Sequence, residues 1–235
     1  MYIGAPETAD EDVTRLNEAI QQIVEKEGGT VVKHDGAPPT TTDYTSILTA
    51  AKSLNPEAIY FGGVTASGGA RILKAAVQVG LGDIPYVGPD GINDGSAETP
   101  DSFLNLVGDD AKNSYSTLAG IGEFPKQAEF EAAYKAEYNI DATGYAGTGY
   151  ACAQVVIDAL NRAAASNPGD ATALREAVRA AGTATDATYK TILGDIKFDE
   201  NGDTNQEIIS IYAYDAEAKD WAFKEQVDFA AAAGG

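Results

Sequence analysis

Two glycine-rich segments carry the residue types best suited to holding a small molecule. Gly62-Gly63-Val64-Thr65-Ala66-Ser67-Gly68-Gly69 follows the apolar run Ala58–Phe61 and precedes a helical pattern. Its glycines leave backbone room for close approach, Thr65 and Ser67 add hydroxyls, and the following helix offers oriented N–H groups at its start. The spacing matches neither a Walker A loop nor Gly-x-Gly-x-x-Gly. The competing reading is a plain flexible connection between strand and helix. The second segment, Gly88-Pro89-Asp90-Gly91, also follows an apolar run. A carboxylate at such an edge accepts from an ammonium group, with Pro89 and Gly91 fixing the turn; a solvated aspartate in a tight turn is the alternative.

The remaining candidates are weaker. Asp199-Glu200-Asn201-Gly202-Asp203 invites a calcium reading, but the glycine falls at the fourth place and Ser210 stands at the twelfth, so a hairpin turn is expected. Tyr145 and Tyr150 flank the start of a long helix, where packing on the helix face competes with lining a cleft. Cys152 is expected to be a buried small residue, with no histidine near it in sequence to serve as its base. His34 is the sole histidine and Cys152 the sole cysteine, so an intrachain disulfide and a Cys/His zinc site are excluded by count. A Ser-His-Asp triad would need His34, expected to end a surface strand. No catalytic, metal or cofactor constellation emerges. Binding is favoured over catalysis.

Sixteen Lys and Arg oppose 36 Asp and Glu, a net charge of −20 over 235 residues. Such a field repels phosphate backbones and anionic membrane surfaces, which argues against nucleic-acid partners. No apolar run approaches the roughly 18 residues of a membrane span. No basic segment followed by an apolar core opens the chain, so a signal peptide is not visible; the chain is expected to be cytoplasmic, or mature or truncated.

The elements that must position these segments follow from periodicity. Residues 10–27 read as a helix with Val13, Leu16, Ile20, Ile23 and Val24 on one face, stopped by Gly28-Gly29. Thr30–Val32 reads as a strand, residues 35–42 as a loop, and Asp43 as the cap of a helix carrying Ile47, Leu48 and Ala51. Ala58–Phe61 is the next strand, 70–79 a helix, 84–88 a strand, 100–107 a helix and 114–119 a strand. This alternation predicts a parallel sheet with helices on both faces. Beyond Gly122 the pattern changes to three helices, 125–138, 149–165 and 170–181, then to runs 192–198 and 208–214 around Asn201-Gly202, a hairpin signal. The tail 230–235 is expected to fray.

Several segments, in order and spacing, resemble the leucine/isoleucine/valine-type periplasmic binding proteins of ABC importers. They are Gly28–Val32, Thr42–Leu48, Asn55–Gly63, Val87–Gly91, Gly149–Ala151, Ala159-Leu160 and Gly194–Asp203. The resemblance implies a type I periplasmic-binding fold: two α/β lobes that close on an amino acid or similar solute and deliver it to a membrane permease. It assigns Asp90 the solute's ammonium. The position after the strand's two glycines, often an aromatic in that family, is Val64 here. The ligand set is accordingly Gly63, Val64, Thr65, Ser67, Asp90 and Gly91.

The resemblance starts about where the family's second lobe begins, with Thr8–Asp12 in place of the usual Tyr-Gly. It divides the chain into a second-lobe α/β core (1–122), helices resembling the carboxyl-terminal part of the first lobe (123–190) and a hinge-proximal hairpin with its tail (191–235). Helices lacking the sheet they normally cover would favour a homodimer or domain swap. Periplasmic or cell-surface location follows from the family. The alternatives are a sensory or regulatory ligand-binding domain of the same fold and, behind it, an α/β enzyme using Asp90 and the 62–69 loop.

Overall fold

The computed structural model describes residues 2–4, 11–38, 41–120, 122–142, 144–166 and 169–228. The expectations for the tail 230–235 and for Thr8–Asp10 lie outside these residues, as do the Val13 and Leu16 side chains.

Two compact units divide the chain, Met1–Leu118 with Ile211–Glu225, and Ala119–Ser210 with Gln226–Gly235. In the first, strands alternate with helices: β1 (Tyr2–Gly4), α1 (Glu11–Lys26), β2 (His34–Gly36), α2 (Thr45–Lys52), β3 (Ile59–Phe61), α3 (Gly69–Gln78), β4 (Tyr86–Gly88), α4 (Phe103–Val107) and β5 (Ser114–Ala119). β1 pairs with β2 and β3, β3 with β4, and β4 with β5, all parallel. β8 (Ile208–Asp215) and β9 (Asp220–Asp228) extend the sheet to the order β2-β1-β3-β4-β5-β8-β9. The predicted α/β class with a parallel sheet is what the chain adopts.

Burial explains the arrangement. α3 places Ile72, Leu73, Ala75 and Ala76 in the core at helical spacing, against Tyr44 and Leu48 of the α2 segment and Ile59 and Phe61 of β3. Phe61, Tyr86, Phe103 and Trp221 form a run of stacked rings, with centroids 6.3, 5.8 and 6.0 Å apart. The Tyr86 hydroxyl, fully buried, donates to the Gly69 carbonyl at 2.9 Å. That bond satisfies the phenol where burial would otherwise penalise it.

The second unit contains α5 (Gln127–Tyr138), α6 (Ala146–Ala165), α7 (Ala171–Gly182) and the antiparallel pair β6 (Tyr189–Thr191) and β7 (Gly194–Ile196). Its core is Ala151, Ala187, Tyr189, Leu193 and Ile196.

Four expectations need correcting. The first parallel partner strand lies at His34–Gly36, not Thr30–Val32; Val32 is 40% exposed, so the apolar pair that suggested a strand lies outside the ladder. His34 therefore begins a strand instead of ending one. Around Asn201-Gly202 only the single bridge Phe198↔Thr204 forms: residues 194–196 pair backward with 189–191, and 208–215 joins the large sheet. Cys152 is exposed, because α6 buries Gly147, Ala151, Ala159 and Ala163 and position 152 lies one helical step away from that face.

Candidate functional site

β3 and β4 run side by side in the register Ile59↔Tyr86 and Tyr60↔Val87. Being parallel, they release their chains at the same edge of the sheet, where crossover loops of α/β sheets gather. The 62–69 and 88–93 segments accordingly meet. The Thr65 hydroxyl donates to the Gly91 carbonyl at 3.3 Å. Gly91 lies directly beneath Val64: a Cβ there would come within 2.3 Å of Val64 Cγ1, so only glycine admits this seating.

The first loop closes on itself. Ser67 Oγ accepts from the Val64 N–H at 3.0 Å and donates to the Val64 carbonyl at 2.9 Å. These bonds fix the short 3-10 turn Thr65–Ser67. A Cβ on Gly63 would fall 2.5 Å from Phe61 Cζ and 2.7 Å from Ser67 Oγ, which explains the glycine. Gly68, at φ +120°, carries the chain from this turn into α3.

The second loop is a 3-10 turn, Asp90–Ile92. Ile92 N–H donates to the Pro89 carbonyl at 3.2 Å and Asn93 N–H to the Asp90 carbonyl at 2.9 Å. On the far side the Ser116 hydroxyl, from fully buried Ser116 on β5, donates to the Pro89 carbonyl at 3.3 Å. Asp90 itself is exposed, and Val64 is 48% exposed. Tyr60 stands close by: burial pushes its phenol pKa up, and the Asp90 charge adds to the shift. It stays a neutral phenol beside an anion.

All six sequence-predicted positions are thus brought to one edge of one unit. They divide by what they present. Asp90 offers a carboxylate and Val64 an aliphatic surface. Gly63 and Gly91 provide backbone clearance. Thr65 and Ser67 direct their hydroxyl hydrogens into the loops. Sequence reasoning missed Ser116 and Tyr60; Ser116's only signal was a hydroxyl at a core position of an alternating strand.

Tyr145 and Tyr150 lie in the other unit, 45% and 51% exposed, with the Tyr150 ring against Phe130 at 5.5 Å. Among the described residues no group of three or more His, Cys, Asp or Glu could hold a metal ion. Asp199 turns its carboxylate into its own loop, where Oδ1 accepts from the Asp203 and Asn201 amides at 2.9 and 2.8 Å. Those backbone donors hold its pKa below the usual carboxylate range.

The sequence pattern of the periplasmic binding protein family matches residues 8–220. The chain belongs to that family. Among periplasmic binding proteins it is 26% identical over 201 residues to the leucine-, isoleucine-, valine-, threonine- and alanine-binding protein of Pseudomonas aeruginosa, covering 85% of this chain and 49% of that one. It is also 26% identical over 203 residues to a Leu/Ile/Val-binding protein homolog of Brucella melitensis, covering 85% and 50%. The chain spans about half the length of the curated relatives it matches. The crystal structure of the leucine-binding protein LivK from Thermotoga maritima shares its fold, with a TM-score of 0.73 at 21% identity over 97% of this chain and 60% of that one. These proteins are named for what they bind, not for a reaction. Among the described residues no helix of this periplasmic binding protein is long and apolar enough to cross a membrane.

Proposed function

We propose that this chain captures an amino acid or similar small solute outside the cytoplasm, in the periplasm or at the cell surface, for the permease of an ABC importer. The observation that carries the reading is the pairing of an exposed carboxylate, Asp90, with the half-exposed aliphatic Val64 on touching loops at the carboxyl ends of parallel β3 and β4. A carboxylate accepts strong hydrogen bonds from an ammonium group, and an adjacent apolar surface suits a short aliphatic side chain. The relatives in Pseudomonas and Brucella, named for leucine, isoleucine and valine, support this substrate class. The role is capture without chemical conversion. Native mass spectrometry after mild purification tests it: an amino acid released unchanged supports the reading, and a turned-over product or a non-amine solute counts against it.

The partner assignment also includes a second copy of the chain. α6 is apolar on two faces: Gly147, Ala151, Ala159 and Ala163 are buried, while Val156, Ile157 and Leu160 are 52%, 57% and 42% exposed. The helix also carries Asp158 and Arg162, paired at 2.8 Å; large apolar side chains left exposed together on one helix side favour association. Light scattering is expected to give a mass near twice 24.4 kDa. A salt-insensitive species of 24.4 kDa removes self-association, by dimerisation or domain swapping, from the reading.

A further inference from the structure

We infer that Ser116 and Thr65 are positioning residues that together fix Asp90 for its ligand. This rests on the proposed contact between Asp90 and a solute ammonium. β4 lies between β3 and β5 in the sheet, so the turn that follows β4 is flanked on both sides. From the β5 side the Ser116 hydroxyl donates to the Pro89 carbonyl, and from the β3 side the Thr65 hydroxyl donates to the Gly91 carbonyl, each at 3.3 Å. The carbonyls immediately before and after Asp90 are thus held from opposite neighbours. The Asp90 carbonyl is held within the turn by the Asn93 N–H. Three consecutive peptide units around one exposed carboxylate are restrained.

The burial of the two hydroxyls gives the arrangement its meaning. Ser116 is 0% and Thr65 8% exposed. Ser114, Ser116 and Leu118 share the buried face of β5. An apolar residue at position 116 would suit that face without placing a polar group in the core, which is costly unless the group is bonded. At 3.3 Å each bond is long for a hydroxyl, so neither is a strong source of stability. Their effect is directional: they limit rotation of the peptides that carry the Asp90 side chain. A turn backbone held before the ligand arrives loses less conformational freedom when its side chain engages the ligand. No short sequence pattern links a serine on one strand to an aspartate 26 residues earlier.

A double-mutant cycle tests the inference, with L-leucine as probe and titrations carried to tens of millimolar. The variants are Thr65→Val, Ser116→Ala and their combination, each made with Asp90 and with Asp90→Asn. With Asp90 present, losing both hydroxyls is expected to weaken leucine binding about tenfold, while with Asn at 90 the same change costs less than about twofold. Thr65→Ser, which keeps the hydroxyl, is expected to restore the affinity lost in Thr65→Val. Equal losses in both backgrounds, or no loss with Asp90 present, overturn the inference and leave the proposed function standing. A wild-type chain that binds neither leucine nor any other amino acid overturns both. Urea midpoints within experimental error of the wild type show that the variants are folded.

Discussion

Replacing Asp90 by alanine is expected to weaken leucine binding by about tenfold to a hundredfold, the range set by one hydrogen bond to a charged group. The carboxylate is exposed, outside the packed core of its unit. The change should therefore appear in the dissociation constant and not in the urea midpoint. Isothermal titration with leucine separates the two. An unchanged constant would remove Asp90 from the binding site. Because the interaction is with an ammonium, the loss should be shared by all amino acids and absent for uncharged analogues, whereas any change at Val64 should discriminate among side chains.

The largest stability effect is expected at Gly68. Its φ of +120° is strained for any side chain, and a Cβ there would stand 2.5 Å from the Tyr44 hydroxyl. Tyr44 is 1% exposed and belongs to the core with Leu48 and Phe61, so it has little room to retreat. Strain and overpacking each cost about 1–3 kcal/mol, and Gly68→Ala is expected to lose about 3 kcal/mol by urea denaturation. Gly28→Ala is the control, because Gly28 also has a positive φ, +82°, but nothing lies within 4 Å of its Cβ position. It should lose about 1 kcal/mol, the backbone contribution alone. Equal losses at the two positions would mean that Tyr44 does not crowd position 68.

The legible part of the fold was the part with strong periodicity. The stripes at Ile47, Leu48 and Ala51 and at Ile72, Leu73 and Ala76 marked α2 and α3, and the apolar runs ending at Phe61 and Gly88 marked parallel strands. These made the meeting of the 62–69 and 88–91 segments expected from sequence. The three-residue strands without an apolar run were not legible. Tyr2–Gly4 and Tyr189–Thr191 went unread, and Val31-Val32 drew attention away from His34–Gly36, because long-range pairing places a strand this short. The hairpin was misplaced for a related reason: the Asp199 carboxylate bonds its own loop and pairing stops after the Phe198↔Thr204 bridge, while 208–215 finds its partner in the large sheet. At the site, residue type suggested that Thr65 and Ser67 face the ligand. Their hydrogen-bond partners depend on where the loop folds back, which no spacing rule encodes.

The column of rings from Phe61 through Tyr86 and Phe103 ends on Trp221, the only tryptophan in the chain. The indole rests on the same packed layer from which β3 emerges toward Val64. Its emission is therefore an intrinsic optical signal for that unit alone, readable without a dye or a label and free of overlap from a second indole.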